Sequence, residues 1–229
     1  MNKVKLRINK IFNYIFNEKF YQKHYFDWGK YPNRSQLIQD IIDYKKYKSY
    51  LEIGCDDDVN YNKIEIEKKI GVDPTQGGNV RKTSDEFFKD NKSYFDCIFI
   101  DGLHEYDQVK KDINNSLKFL EKGGVIFLHD CLPRSLFEQA VPRSQHIWTG
   151  DVWKAIVETR TYQDVDTCVC LMDMGLAIII KRTNSALLNI KTKDFKKLKF
   201  SDYFHNYQTY MNVIKYEDIM KFINKNSHE

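Results

Sequence analysis

Along residues 49–181, short apolar runs alternate with stretches whose apolar residues recur at helical spacing. Tyr50-Leu51-Glu52-Ile53-Gly54, Ile70-Gly71-Val72-Asp73, Phe95-Asp96-Cys97-Ile98-Phe99-Ile100-Asp101 and Val125-Ile126-Phe127-Leu128 read as four short buried strands. Between the last two, Val109, Ile113, Leu117 and Leu120 share one helical face, and Gly123-Gly124 is expected to end that helix. Trp153 to Arg160 predicts a further helix, followed by strands near 166–171 and 175–181. Asn33 or Ser35 is placed to cap a helix running to about Lys48. Such alternation predicts an α/β architecture around a mostly parallel sheet with helices on both faces.

The flanks read differently. Residues 3–20 place Val4, Ile8, Ile11, Phe12, Ile15 and Phe16 at helical spacing, with Lys3, Lys5, Arg7 and Lys10 between them. This basic amphipathic helix suits a membrane surface or a partner, or packs on its own domain or a second subunit. An aromatic stretch, His24 to Pro32, reads as a loop able to close over a pocket. Residues beyond 184 are Lys-rich and aromatic, with a helix expected near 216–225. The expected division is therefore an N-terminal helix and loop (1–32), a central α/β domain (33–183) and a basic C-terminal extension (184–229).

Composition sharpens this picture through charge. The chain of 229 residues has a net charge of +4, but residues 1–50 carry +7, residues 51–180 carry −8 and residues 181–229 carry +5. An acidic centre between basic flanks does not resemble a nucleic-acid groove, which needs a basic stripe beside its working surface. No apolar run approaches a membrane span, and no secretion signal is evident at the N-terminus. Five cysteines without metal-type spacing read as reduced thiols, so a cytoplasmic location is expected.

Candidate chemistry collects at strand ends, where open α/β sheets bind ligands. Glu52 and Gly54, Asp73, Asp101, and His129-Asp130 each fall at such an end. The first turn reads Gly54-Cys55-Asp56-Asp57-Asp58, with one glycine and three consecutive carboxylates. Such a turn repels a pyrophosphate, whereas S-adenosylmethionine carries a positive sulfonium and a positive amino group. Asp73 stands about 20 residues after Gly54, the spacing that suits a carboxylate on ribose hydroxyls. Asp101 and Asp130, on neighbouring strands about 4.8 Å apart, can converge on one ligand or ion.

These segments resemble class I S-adenosylmethionine-dependent methyltransferases. The resemblance rests on Leu51-Glu52-Ile53-Gly54, Ile70-Gly71-Val72-Asp73-Pro74 and Thr83-Ser84-Asp85-Glu86-Phe87-Phe88. Phe99 to Tyr106 and Gly123 to Asp130 narrow it to the subgroup of macrocin-type O-methyltransferases and methyltransferases of bacterial surface-glycan clusters. It spans about residues 33–182 and implies a seven-stranded Rossmann-like sheet in the order 3-2-1-4-5-7-6, the last strand antiparallel. It places Glu52, Gly54 and Cys55 beside the methionine part of the cofactor, Asp73 on the ribose, and Ser84 and Asp85 near the adenine. Arg34 is a weaker candidate for the cofactor carboxylate, and Asp101 is counted with both cofactor and chemistry. Relatives hold magnesium with acids at the ends corresponding to Asp101 and Asp130, beside a histidine base that matches His104. Here His129 stands where one acid of a pair is expected, which weakens the case for magnesium, since that ion prefers oxygen ligands. A metal-free site is the alternative, with Asp101 and Asp130 orienting His104, His129 and the acceptor.

A hydroxyl acceptor needs a base, a task suited to histidine, with His104 the first choice and His129 the second. Arg134, Arg143, Trp148, Asp151, Trp153 and Lys154 follow the fourth strand, where loops carry specificity. Basic residues beside tryptophans suit a small anionic sugar derivative. The resemblance implies a sugar, sugar phosphate or nucleotide-linked sugar of a surface polysaccharide, such as a capsule. N-methylation or methylation of a phosphoryl oxygen on the same scaffold stays open. So does a metal-dependent hydrolase built on the Asp/His cluster, and a homodimer through the basic flanks.

Overall fold

The computed structural model describes residues 2–28 and 31–225; Gly29 and Lys30 of the aromatic stretch lie outside the described residues. Elements run α1 (Lys3–Phe16), α2 (Arg34–Lys45), β1 (Ser49–Ile53), β2 (Lys68–Val72), α3 (Ser84–Asp90) and β3 (Phe95–Ile100). They continue with α4 (Tyr106–Lys118), β4 (Leu120–Leu128), α5 (Leu136–Gln139), α6 (Val152–Thr159), β5 (Asp166–Cys170) and β6 (Leu176–Ile180). The chain ends with α7 (Phe200–Met211), β7 (Val213–Ile214) and α8 (Ile219–Ile223).

The seven strands form one sheet in the order β2-β1-β3-β4-β6-β5-β7. β1, β2, β3 and β4 are parallel, and β6 runs antiparallel to both β4 and β5. The Rossmann-like class and its antiparallel strand are as expected, while one edge is built differently. Where a strand was expected outside β2, a single parallel bridge joins Val72 to Val80. The seventh strand is instead the two-residue β7, added beside β5 at the opposite edge.

Alternation along each strand sends side chains to two cores. Leu51, Ile53, Ile98, Ile100, Ile126 and Leu128 meet Val109 and Ile113 of α4 and Trp153 and Ile156 of α6. Tyr50, Cys97, Phe99, Val125 and Phe127 meet Leu37, Ile38, Ile41 and Ile42 of α2 and Ile219, Phe222 and Ile223 of α8. Burial of each such apolar side chain contributes about 1.5–3 kcal/mol before chain entropy is set against it. The segment beyond residue 184 packs into both cores, because Phe200, Tyr203 and Met211 join the first and α8 covers the second.

Asn33 caps α2 by accepting from the Gln36 amide, and Lys46 closes the helix in the left-handed region. Gly123-Gly124 does not end α4, which stops at Lys118; the two glycines lie inside β4. The pairing of β3 with β4 shifts register between Phe95 and Cys97, and glycine at φ +82° admits that irregularity.

Candidate active site

A cavity of about 880 Å³ opens at the carboxyl ends of β1, β2, β3 and β4. Its lining includes all the expected cofactor-side residues: Arg34, Glu52, Gly54, Cys55, Asp73, Ser84, Asp85 and Asp101. His104, His129 and Asp130 line the same cavity, as do Arg143 and Trp148.

The first turn is set by backbone crowding. Gly54 sits at φ +85°, and a Cβ there would lie 2.3 Å from the Asp101 carbonyl oxygen. Only glycine fits this approach of β1 to β3. Beyond it, the Cys55 and Asp56 amides both donate to Asp73 Oδ2, at 3.2 and 3.1 Å. The other oxygen of Asp73 accepts from the Thr75 amide and hydroxyl and from the Gln76 amide. Burial pushes the Asp73 carboxyl up, but these bonds outweigh it and hold it below its usual range. Asp73 therefore clamps the turn while lining the cavity.

Glu52 is buried, with its Oε2 accepting from the Tyr50 hydroxyl at 2.5 Å and the Asn60 amide at 2.8 Å. Burial dominates and raises its carboxyl to about 7. On the opposite wall, the Thr83/Glu86 capping box starts α3 and presents Ser84 and Asp85. Gln108 Nε2 reaches Ser84, Asp85 and the buried Asp112. Neither Gln108 nor Asp112 stood out in the sequence, because both read as ordinary positions of an amphipathic helix.

The centre is a cluster of charges. The backbone ladder continues past the strands, since Asp101 donates to Ile53 and His129 donates to Ile100. That pins Asp101 and His129 side by side. Asp130 follows at φ +61°, a left-handed conformation that costs a non-glycine residue on the order of 1 kcal/mol or more. His104 bridges the two acids, its Nε2 lying 3.2 Å from Asp101 and its Nδ1 3.1 Å from Asp130. His129 Nδ1 is 3.3 Å from Asp101, and its Nε2 is 3.5 Å from Asp173. Arg34 pairs with Asp173 at 3.0 Å and approaches Asp101 at 3.7 Å. Asp173 belongs to the β5–β6 turn, and its partnership with Arg34 spans 139 positions, so no local pattern could have signalled it.

These contacts shift the titration of the cluster. Burial works to lower both imidazoles, but the neighbouring carboxylates prevail: His104 is raised above its usual value and His129 is pushed up to about 10. Asp101 is opposed by its own burial, yet the His129 charge and bonds from both imidazoles hold it well below the ordinary carboxylate range. Burial raises Asp130.

The loop after α5 locks His104. Its ring stacks on Trp148, with centroids 5.3 Å apart and planes 19° apart. Gly150 has φ +61°, and a Cβ there would meet the His104 carbonyl oxygen at 1.7 Å. Arg143 lies over the same indole at 5.4 Å. Trp148, expected to offer a flat face to a sugar, is thus already in contact with two side chains.

The other expected acceptor residues are not part of the lining. Arg134 is held by Glu138 through three side-chain bonds. Asp151 accepts from the Tyr106 amide at 2.7 Å and so anchors the start of α4. Lys154 pairs with Asp151 and donates to the Lys196 carbonyl. Trp153 is fully buried core, its indole N–H donating to Gln139.

Asp101, His104 and Asp130 present donor atoms within 4.8 Å of one another, as a metal site would. The set does not fit magnesium, however. His104 itself lies between the two acids with both ring nitrogens engaged, and His129 and Arg34 also approach Asp101. Magnesium favours an octahedron of oxygens.

Residues 67–131 match the family model of a methyltransferase domain. No curated protein matches the chain in sequence. Among solved structures, an O-methyltransferase from Bacillus cereus in complex with SAH is similar at 11% identity. The match covers 79% of this chain and 90% of that one, with a TM-score of 0.50. An SAH-bound methyltransferase from Podospora anserina is similar at 17% identity, covering 67% and 80%, with a TM-score of 0.52. These likenesses show the fold. The domain match spans residues 67–131, and over the wider chain the likeness is one of Rossmann-like fold.

Proposed function

We propose that this chain is an S-adenosylmethionine-dependent O-methyltransferase acting on a small polar acceptor, a sugar, sugar phosphate or nucleotide-linked sugar. The observation that carries the reading is the juxtaposition, in one cavity, of the acid-lined strand ends of Glu52 and Asp73 and the His104 cluster. Solved relatives of the same fold are bound to SAH. Buried polar atoms of two lining residues, Asn60 Oδ1 and Arg34 Nε, have no hydrogen-bond partner within the protein, and they fit a polar, charged cofactor.

When bound, S-adenosylmethionine supplies a methyl group on a cationic sulfonium, transferred to a hydroxyl oxygen as the carbon–sulfur bond breaks. The chain's residues provide binding, orientation and a proton acceptor. Glu52 and Asp73 offer negative charge to the cofactor's cationic portion and ribose, and Ser84, Asp85 and Gln108 form the adenine wall. His104 takes the hydroxyl proton at Nδ1 once the acceptor displaces that nitrogen's contact with Asp130, and the Asp101 carboxylate beside Nε2 stabilises the imidazolium that results. Because the neighbouring carboxylates raise the proton affinity of His104, the neutral imidazole that acts as base is favoured as pH rises, so turnover rises with pH. His129, protonated up to about 10, serves as a fixed positive partner for Asp101 rather than as the base.

An anionic acceptor is favoured by Arg143. Its nitrogens donate to the Gln145 and His146 carbonyls, which orient the guanidinium without cancelling its charge. The metal-dependent hydrolase alternative is disfavoured, because His104 occupies the position between the two acids. The test is a screen of phosphorylated and nucleotide-linked sugars for a mass gain of one methyl group that depends on S-adenosylmethionine. A product in that set supports the acceptor class. Methylation confined to amines or phosphoryl oxygens would overturn it.

A further inference from the structure

We propose that the apolar face of α1 seats on an anionic lipid bilayer surface. A helix of a soluble domain ordinarily turns its apolar stripe inward. α1 does the reverse. Its inward side is held by polar residues, with Asn9 donating to the Arg143 carbonyl at 2.7 Å and Asn13 to the Pro142 carbonyl at 2.8 Å. Leu6 is the buried apolar residue on that side. Val4, Ile8, Ile11 and Ile15 face outward at 58–62% exposure, joined by Phe12 and by Phe16 at 69%. These six side chains form one continuous stripe at i, i+4, i+7, i+8, i+11 and i+12.

Charge selects the occupant. α1 carries Lys3, Lys5, Arg7 and Lys10 and contains no acidic residue. Lysine and arginine beside an apolar stripe reach lipid phosphates while their stems lie along the acyl boundary. Pairing two copies of this helix would bring together eight positive charges with none in the helix to offset them, whereas an anionic surface rewards each one. At fourteen residues the helix is about 21 Å long, enough to lie in the interface and too short to span it. Among the described residues, no helix is long and apolar enough to cross a membrane. The hydrogen bonds from Asn9 and Asn13 end on residues 142 and 143, within the loop whose Arg143, His146, Ile147 and Trp148 line the cavity. Docking would bring the cavity mouth close to the bilayer.

The proposal stands apart from the reaction, so its test needs no cofactor. The full chain is sedimented with phosphatidylcholine vesicles, with and without phosphatidylglycerol, beside a variant carrying Ile8→Ser, Ile11→Ser and Ile15→Ser. The result expected is binding only to phosphatidylglycerol vesicles, weakened by added salt. The variant should bind at least ~10-fold more weakly, since it loses the apolar contact and keeps every charge. Its thermal midpoint should match the parent, because the three side chains are exposed. Absence of binding to phosphatidylglycerol vesicles, or undiminished binding by the variant, would overturn the proposal. So would a parent dimer in sedimentation velocity that the variant dissolves while vesicles stay unbound.

Discussion

At Glu52, a carboxyl raised to about 7 by burial faces a cavity proposed to take a cation. The ionised form binds the cation and the neutral form does not, so affinity should rise as pH rises through about 7. Below that value it should fall by up to ~10-fold per pH unit, and binding near neutrality should release a proton. Calorimetry with SAH or S-adenosylmethionine in buffers of different ionisation enthalpy checks both effects. Glu52→Gln should flatten the dependence. His104 gives a second prediction. His104→Ala should lower kcat by ~10²–10⁴-fold while SAH still binds. In the parent, the rate should climb with pH through a midpoint above the 6.5 of an ordinary imidazole. An unchanged kcat in the variant removes His104 as the base. Most of these residues were legible in the sequence, because strand ends concentrate chemistry and Asp101-x-x-His104 is local. Asp173, Asn60 and Asp112 were not legible, since their roles depend on contacts that only folding creates.

The element that sets the geometry of His104 is the loop from residue 141 to Gly150. Trp148 stacks on the ring, and the bare α-carbon of Gly150 lets the loop touch the His104 backbone. Gly150→Ala should push the two apart and cut turnover by ~10²-fold or more, the usual consequence of a misplacement of about 1 Å. Steady-state kinetics and SAH binding together check this; unaltered kcat would contradict it. Trp153 belongs to the same stretch but not to the site. Its complete burial predicts that Trp153→Ala costs ~3–5 kcal/mol of stability, measured by denaturant unfolding. In sequence, the two tryptophans looked alike as candidate sugar platforms. Only packing separates a ring stacked on His104 from one buried against Tyr203 of α7. The same limit explains Gly123-Gly124: two glycines after a helical run signal a stop, but here they accommodate a shifted register inside β4. The strands of the sheet's centre were readable because each is a short, continuous apolar run. The outer edge beyond β2 was not, since a single bridge at Val80 needs no run at all.

For the molecule as a whole, the division into an acidic centre and basic flanks acquires a spatial sense. Glu52, Asp73, Asp85, Asp101 and Asp130 all line one cavity. Positive charge returns at its rim through Arg143 and, beyond it, along α1. Within the cavity, Arg34, His104 and His129 already lie against Asp101, and His104 and His129 against Asp130. Turnover should therefore survive exhaustive treatment with EDTA, and a loss reversed by added magnesium would show that the cluster recruits the ion after all. The central claim is that this cavity is the site of an S-adenosylmethionine-dependent methyltransferase, and titration of the purified chain with SAH in a calorimeter tests it most directly. The account predicts saturable binding at one site per chain, with thermal stabilisation of about 2.7 kcal/mol at a hundredfold excess over Kd. No heat and no stabilisation at millimolar SAH would contradict it.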